Sequence, residues 1–245
     1  MTSVLNYGGG LQTVAMCVLV ERGVLPHPDL IVMADTGREM PTTFQYLDAH
    51  IRPRMAALGI EVHIAGHDLA TVDLYGKNGD LLVPVFTATG KLSSYCSGEW
   101  KKRVIQRYLR GLGITSATSW IGFSVDERQR MMKPETGPWQ VSYPLIEHGL
   151  TRANCRLAVE GCGLPLPKKS RCYMCPHQTD AEWAEVKADP DLWRLAVETD
   201  TEVRENDERG GVYLHRSLIP LDDVTLAPDD ETQTGRQCQL GMCFV

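Results

Sequence analysis

Eight cysteines are spread unevenly along the 245 residues. Cys172 and Cys175 are separated by two residues in a proline-containing stretch, and Cys155 and Cys162 precede them. Two thiolates three positions apart can face one ion, so in a reducing compartment this spacing favours metal or redox chemistry over a disulfide framework. Four thiolates suit either Zn²⁺ or a four-iron four-sulfur cluster, and the spacing does not choose between them. The alternative interpretation is a set of buried thiols.

A second candidate site is the glycine run Gly8-Gly9-Gly10, which follows a β-like segment and precedes apolar residues at helical spacing. Backbone N–H groups at such a turn, together with the helix dipole, favour a phosphate. The run lacks the Gly-Lys-Ser/Thr ending of a Walker loop and the Gly-x-Gly-x-x-Gly spacing of a dinucleotide loop. By itself it is equally consistent with a tight strand-to-helix turn.

The segment Asp35-Thr36-Gly37 follows the apolar run 30–34. In a doubly wound sheet it would lie at the same carboxyl edge as the glycine run, so two loops would converge on one crevice. Asp35 could then orient a nucleotide or a Mg²⁺ ion. A capped surface turn is the alternative.

The elements that must position these residues alternate between strand and helix. The sequence predicts strands at 3–6, 30–34, 61–64 and 119–123, and helices at 11–22, 42–58 and 99–112, with a kink at Pro53. This order predicts an α/β fold with a doubly wound, mostly parallel sheet. We expect residues 1–132 to form a nucleotide-binding domain. Residues 133–245 would form a small, irregular, cysteine-rich region with a helical segment at 180–203, broken at Asp189-Pro190, and a mobile tail.

Composition sets limits on the function. Hydrophobic residues are 43% and charged residues 23%, which is ordinary globular usage. The net charge of −6 argues against a strongly basic nucleic-acid or membrane-surface protein, although it allows a local basic patch. Such a patch is predicted from Lys101, Lys102, Arg103, Arg152, Lys168, Lys169 and Arg171, with a solvated face as the alternative. Because no apolar run reaches about 18 residues, we expect a cytoplasmic protein without a membrane partner.

The motifs occur in an order that resembles the PP-loop ATP pyrophosphatase and phosphoadenylylsulfate (PAPS) reductase superfamily, in particular a phage and bacterial PAPS-reductase-like subgroup with a cysteine cluster. The matching segments span nearly the whole chain: Gly8-Gly9-Gly10-Leu11-Gln12-Thr13, Asp35-Thr36-Gly37-Arg38-Glu39, Cys96 with Lys101, Gly122 to Arg130, Tyr143-Pro144-Leu145-Ile146, Thr151-Arg152-x-x-Cys155, Lys169-Ser170-x-Cys172-x-x-Cys175-Pro176 and His215-Arg216-Ser217. The resemblance implies a HUP-like nucleotide-binding fold.

The resemblance also implies roles for individual residues. The glycine loop would hold the phosphates of ATP, or the phosphate or sulfate of PAPS, with Mg²⁺ expected. Asp35 and Lys101 would act in catalysis. The usual loop has Asp where this chain has Gln12, which leaves metal handling at the loop in doubt because an amide is a weaker Mg²⁺ partner than a carboxylate. The implied nucleotide-binding residues are Gly8, Gly9, Gly10, Gln12, Thr13, Asp35, Thr36, Gly37, Glu39, Gly122, Ser124, Asp126, Glu127 and Arg130.

For the cysteines, the resemblance favours a 4Fe-4S cluster on Cys96, Cys155, Cys172 and Cys175, with Cys162 as the reserve ligand and Zn²⁺ as the alternative metal. The chain departs from cluster-containing assimilatory reductases, which carry adjacent cysteines where this chain has Tyr95-Cys96. The tail residues Cys238 and Cys243 loosely resemble the mobile nucleophilic cysteine of sulfonucleotide reductases. A frayed terminus is the alternative.

The leading function implied is ATP-dependent adenylation of an acceptor oxygen followed by sulfur transfer, with a nucleobase or nucleic acid as acceptor. The first alternative is a thioredoxin-linked reductase of PAPS or a related sulfonucleotide, with Cys243 or Cys238 as nucleophile. The second is a non-catalytic zinc-binding module, in which the glycine loop would be idle. The expected partners are a nucleotide, the acceptor, a sulfur donor or thioredoxin-like reductant, and a second copy of the chain in a homodimer.

Overall fold

The computed structural model describes residues 1–66, 73–132 and 137–227. The strands are β1 (Thr2–Asn6), β2 (Leu30–Ala34), β3 (Val62–Ala65), β4 (Phe86–Thr87), β5 (Gly90–Lys91), β6 (Ala117–Trp120) and β7 (Trp139–Ser142). The helices are α1 (Leu11–Glu21), α2 (Pro41–Tyr46), α3 (Arg52–Ala57), α4 (Arg103–Gly111), α5 (Pro144–Glu147), α6 (Arg152–Glu160), α7 (Asp180–Lys187) and α8 (Pro190–Asn206). Shorter helical turns lie at Leu47–Ile51, Ser97–Lys102, Val125–Arg130 and Leu221–Asp223.

Five strands form one parallel sheet in the order β3-β2-β1-β6-β7. The chain builds outward from β1 through β2 to β3 and then returns to the other side of β1 with β6 and β7. The strand order therefore reverses between β1 and β6, which makes their carboxyl ends the place where a doubly wound fold binds its ligand. The predicted α/β, doubly wound, parallel fold is confirmed.

The two faces of the sheet are covered by different helices. Successive side chains of a strand point to opposite faces, and in the central strands the side chains on both faces are apolar and need a covering layer. Leu5 of β1 and Ile31 of β2 point into a core shared with α1, α3 and α6. The neighbouring residues Val4 and Val32 point to the other face, where they pack against Val104, Ile105 and Leu109 of α4. Helix α1 is buried along almost its whole length, from Thr13 to Val20, so its N-terminus is held firmly at the end of β1.

The chain divides into two compact units. Of the described residues, unit one contains 1–66, 100–132 and 137–170, and unit two contains 73–99 and 171–227. Unit one is the sheet with its covering helices. Sequence analysis placed the boundary at residue 132, whereas the structure adds β7, α5 and α6 to the sheet unit because β7 pairs along β6 and α6 packs on α1.

Unit two contains the β4–β5 hairpin and the helices α7 and α8. Asp189 caps α8 by accepting hydrogen bonds from the backbone N–H groups of Asp191 and Leu192, both at 3.1 Å. The fully buried Asp200 accepts from the backbone of Leu214 and Leu221, both at 3.0 Å. This one carboxylate ties two loop segments to α8. No helix among the described residues is long and apolar enough to cross a membrane.

Candidate nucleotide site and cysteine region

The glycine turn joins β1 to α1 at the point where the strand order reverses. Gly10 is the residue preceding α1, and within the described structure no side chain caps this helix end and its first turn carries no acidic residue. A Cβ atom added to Gly8 or Gly10 would meet nothing within 4 Å. The space beside Gly8 and Gly10 is therefore open, and no side chain caps the first N–H groups of α1, which is an arrangement that can receive a phosphate or sulfate.

Gly9 is the member of the turn that requires glycine. Its φ of +75° lies in the left-handed region, and a Cβ there would collide with Thr43 Cγ2 and lie 3.6 Å from Ser170 Cβ. Gly9 thus packs directly against two residues with hydroxyl groups, both from other segments of unit one. Neither residue was assigned a role from the sequence: Thr43 lies in no motif, and Ser170 lies in a matching segment whose cysteines alone were given a role.

Beneath this turn lies a buried polar cluster centred on Glu39, which we call the Glu39 cluster: Glu39, Thr43, Lys101 and Ser170. The Glu39 side chain is 2% exposed. Its Oε1 accepts hydrogen bonds from Ser170 Oγ at 2.8 Å and Thr43 Oγ1 at 3.1 Å, while Lys101 Nζ lies 4.0 Å from its Oε2. A buried carboxylate is stable only when it is paired and hydrogen-bonded, and these three partners provide both kinds of contact.

The hydroxyl group of Thr13 makes a hydrogen bond within the glycine turn. Thr13 Oγ1 donates to the Gly10 carbonyl at 3.0 Å, and the residue is 9% exposed. A Cβ on Gly122 would lie 2.8 Å from Thr13 Cγ2 and 3.3 Å from its backbone N. The loop after β6 can therefore approach the glycine turn closely because position 122 has no side chain. The structure brings these two predicted segments together.

The loop after β6 also contacts Gln12. Gln12 Nε2 donates to Glu127 Oε2 at 2.7 Å, and Arg152 Nη1 donates to Gln12 Oε1 at 3.4 Å. Glu127 forms an ion pair with Arg130. Gln12, at the position that resembles the family's loop Asp, thus makes side-chain hydrogen bonds to this loop and to Arg152.

Asp126 and Ser124 complete this loop. Asp126 Oδ2 accepts from the backbone N–H of Arg152 at 2.5 Å and from Ser124 Oγ at 3.3 Å. The backbone hydrogen bond from Arg152 is the main reason that the pKa of Asp126 is lowered. Asp126 stays ionised and fastens the start of α6 to the loop.

The segment after β2 forms a turn around Asp35. Asp35 Oδ1 accepts from the backbone N–H of Gly37 at 2.7 Å, and Gly37 has a φ of +66°. Thr36 is fully buried, and the guanidinium of Arg38 lies 5.0 Å from the centroid of the Trp100 ring. Since β2 is adjacent to β1, this turn lies at the same carboxyl edge as the glycine turn. The roles of Asp35, Thr36 and Gly37 toward a nucleotide stay predictions.

Three of the predicted metal ligands, Cys96, Cys172 and Cys175, belong to unit two. The backbone N–H of Cys175 donates to the Cys172 carbonyl at 3.1 Å, so the two residues form one tight turn. Lys91 Nζ lies 2.8 Å from Nδ1 of His177. Burial lowers the pKa of Lys91, and the negative charge of a Cys175 thiolate acts in the opposite direction.

The fourth predicted ligand, Cys155, is placed in the apolar core of unit one. It is 1% exposed, lies on α6 in the core cluster that also contains Cys17, and burial raises the pKa of its thiol to about 11. The role of Cys155 as a metal ligand stays a prediction from the motif. Cys162 packs at the edge of the same core.

Across 1–66, 73–132 and 137–227, no three His, Cys, Asp or Glu side chains are grouped so that they could hold a metal ion. The tail cysteines Cys238 and Cys243 lie outside the described residues. The 4Fe-4S cluster and the zinc alternative therefore stay predictions from the motifs.

Comparison with known proteins gives similarities in overall structure alone. No protein-family model matches the chain, and no curated protein matches it significantly. Among solved structures, the chain is similar to the U34-tRNA thiolase NcsA from Methanococcus maripaludis with its 4Fe-4S cluster, at a TM-score of 0.46 and 16% identity, covering 85% of this chain and 67% of that one. A likeness at this level transfers neither an activity nor a ligand.

Proposed function

We propose that this chain is an enzyme of the PP-loop type that binds ATP at the glycine turn, cleaves it between the α- and β-phosphates and adenylates an acceptor oxygen, which is then replaced by sulfur. The acceptor in this proposal is a nucleobase or nucleic acid. One observation carries it: the uncapped start of α1, preceded by Gly8-Gly9-Gly10, lies where the strand order reverses. A site of this kind is built for a phosphate group.

The proposed contribution of unit one is to bind and neutralise pyrophosphate. The N–H groups at the start of α1 would donate to the departing β- and γ-phosphates, stabilising the charge that develops as the α–β bond breaks. Thr43 and Ser170 pack against Gly9, so the turn is held in one conformation before the nucleotide binds. A preorganised turn needs no reorganisation during the reaction.

Lys101 is the proposed cation of this site. Its ammonium lies 4.0 Å from Glu39 Oε2, and its side chain is 21% exposed. Glu39 would position Lys101, while the ammonium acts as a point charge toward a phosphate oxygen. Mg²⁺ is expected with ATP, and Asp35 is the carboxylate proposed to orient the ion or the nucleotide.

The proposed contribution of unit two is sulfur chemistry at Cys172 and Cys175. These residues share one turn, and Lys91 provides a positive charge that favours a Cys175 thiolate. Adenylation converts the acceptor oxygen into a good leaving group, so hydrosulfide from a sulfur donor can add to the acceptor carbon and expel AMP, which leaves C=S where C=O was.

Nucleotide binding and product analysis test the proposal. We expect the protein to bind ATP with Mg²⁺ and to release AMP and pyrophosphate when a nucleic-acid acceptor is supplied. Asp35→Ala should weaken ATP binding, whereas Asp48→Ala, which removes an exposed carboxylate paired with Arg52, should not. Binding of PAPS with sulfite release would support the reductase alternative instead, and failure to bind either nucleotide would overturn the proposed site.

A further inference from the structure

The chain is acidic overall, but the segment that contains α4 and the turn before it is rich in Lys and Arg. Residues 101–110 contain five Lys or Arg residues and no Asp or Glu, in a protein whose net charge is −6. Such a segment has a local charge opposite to that of the molecule. The local charge, rather than the net charge, determines what a surface attracts at short range because salt screens interactions beyond about 8 Å.

Three of these cations form a row along the solvent side of α4. The helix buries Val104, Ile105 and Leu109 against the sheet. The residues at i, i+4 and i+7 on the opposite side are all exposed: Arg103, Arg107 and Arg110. We call these three residues the α4 arginine row. At a rise of about 1.5 Å per residue the row spans about 10 Å.

Two neighbouring contacts fix the surroundings of this row. The guanidinium of Arg110 lies 5.1 Å from the centroid of the Trp139 ring, so one end of the row is held against β7. On the sheet-facing flank, Tyr108 Oη lies 2.8 Å from Nδ1 of His63, and Glu61 pairs with that histidine at 3.5 Å.

We propose that the α4 arginine row is a docking surface for the sugar-phosphate backbone of a nucleic acid. One strand of a duplex carries a phosphate for about every 3.4 Å of its axis, so a row of about 10 Å is long enough to contact about two or three phosphates. Arginine suits this role because its planar fork can donate two parallel hydrogen bonds to one phosphate. The inference deepens the proposed function, since it rests on a nucleic-acid acceptor, and it assigns the acceptor-binding surface to α4.

The test compares two double variants of equal charge change. Arg103→Gln with Arg107→Gln removes two cations from the row but retains Arg110 and its contact with Trp139. The matched control is Arg156→Gln with Arg194→Gln, which removes two arginines whose side chains are 58% and 57% exposed and which pair with Glu160 and Glu198. Binding is measured by fluorescence anisotropy with a labelled RNA stem-loop and, separately, a labelled DNA duplex, across a range of salt concentrations.

We expect the row variant to bind nucleic acid about tenfold or more weakly than the parent at about 0.1 M salt, and the salt slope to fall by about 0.7 to 0.9 for each lost contact. The control variant should bind like the parent. Comparing RNA with DNA identifies which backbone is preferred. Equal loss in both double variants would mean that only net charge matters and would overturn the proposal, as would binding of phosphatidylserine vesicles without binding of either nucleic acid.

The same samples separate this inference from the proposed function. Both double variants leave the glycine turn unchanged, so both should bind ATP like the parent. Normal ATP binding with nucleic-acid binding unaffected by the row variant would overturn the α4 assignment and leave the nucleotide site standing. Nucleic-acid binding that depends on the row, without any ATP binding, would support the docking surface and overturn the proposed enzyme.

Discussion

Gly9 and Thr43 are in such close contact that a Cβ atom at position 9 would overlap the methyl group of Thr43. This contact joins the glycine turn after β1 to helix α2, which follows β2. The shape of the turn therefore depends on the packing of two adjacent βα units as well as on the flexibility of glycine. The Glu39 cluster lies directly behind the contact.

The first prediction concerns Gly9→Ala. The new methyl group must displace Thr43, and alanine at a φ of +75° is strained, so the turn should change shape and lose ATP affinity by at least tenfold. The measurement is calorimetric titration with ATP and Mg²⁺. Gly113→Ala is the matched control because Gly113 has a φ of +77° but nothing within 4 Å of its Cβ position.

Both variants should lose about 1 kcal/mol of unfolding free energy or more from backbone strain. Only Gly9→Ala should also lose nucleotide binding. If both bind ATP like the parent, the glycine turn does not hold the nucleotide.

The second prediction concerns the hydrogen bond between Gln12 and Glu127. Gln12→Glu is nearly isosteric but places a carboxylate oxygen where an N–H group now donates to Glu127 Oε2 at 2.7 Å. We expect this variant to be destabilised by about 1 to 3 kcal/mol in urea unfolding. Adding Glu127→Gln reverses the donor and the acceptor and should recover part of that loss.

The two single variants and the double variant form a thermodynamic cycle. A coupling of about 0.5 kcal/mol or more would confirm that the two side chains interact directly, as close pairs do. Purely additive losses would show that Gln12 acts independently of the loop after β6.

These contacts show which parts of the molecule the sequence could reveal. Strand β2 was predicted at its observed bounds because Leu30–Ala34 is a continuous apolar run ended by Asp35. The break between α7 and α8 was predicted because Asp is a common helix cap and Pro favours the first turn of a helix. Asp189 caps α8, and Pro190 is its first residue. Strand β7 was missed because it is only four residues long: Trp139 and Val141 alternate with polar residues, but so short an alternation is a weak signal, and none of the four residues is buried.

The candidate site was only partly predictable for a related reason. The glycine turn, Asp35 and Gly122 follow strands, and parallel strands bring their carboxyl ends to one edge. The bond between Ser170 and Glu39 joins residues 131 positions apart, and no local pattern specifies such a contact. Cys155 was assigned to a metal through its motif, while its helical position on the side of α6 that faces α1 determines its burial.

The third prediction is a pH dependence of stability from His215. Burial lowers the pKa of this histidine below its ordinary value of 6.5; Arg216 acts in the same direction, while Asp180 and Asp200 oppose the shift. Below about pH 6.5 the unfolded chain therefore binds more protons than the folded one. The contribution of neutral His215 to the free energy of unfolding is therefore largest above about pH 6.5, and it decreases as the pH falls toward the pKa of the folded state.

Urea unfolding at about pH 7.5 and about pH 5.5 measures this contribution. His215→Gln should reduce the difference in unfolding free energy between the two pH values by at most about 1.4 kcal/mol, because pH 5.5 lies about one unit below the ordinary pKa. His27→Gln, at an exposed histidine, should leave the difference unchanged. An unchanged difference in His215→Gln would show that another group carries the dependence.

The fourth prediction separates the cysteines by their roles. Protein purified without oxygen is analysed for iron, sulfide and zinc, and we expect iron with sulfide, held through Cys172 and Cys175 as the motif implies. Cys172→Ser and Cys175→Ser should lower the metal content. Cys155→Ala should leave it unchanged, because Cys155 lies in the apolar core, and should instead reduce unfolding stability by about 1 kcal/mol through the small cavity.

Each result selects a different role for the cysteines. Stoichiometric zinc without iron would make the Cys172–Cys175 turn structural and remove the proposed sulfur chemistry from unit two, while leaving the nucleotide site in unit one to be judged by ATP binding. Loss of metal in Cys155→Ala with normal stability would show that this thiol leaves the core to bind a metal. That outcome would require α6 to move away from α1, because the two helices now share the core that buries Cys155.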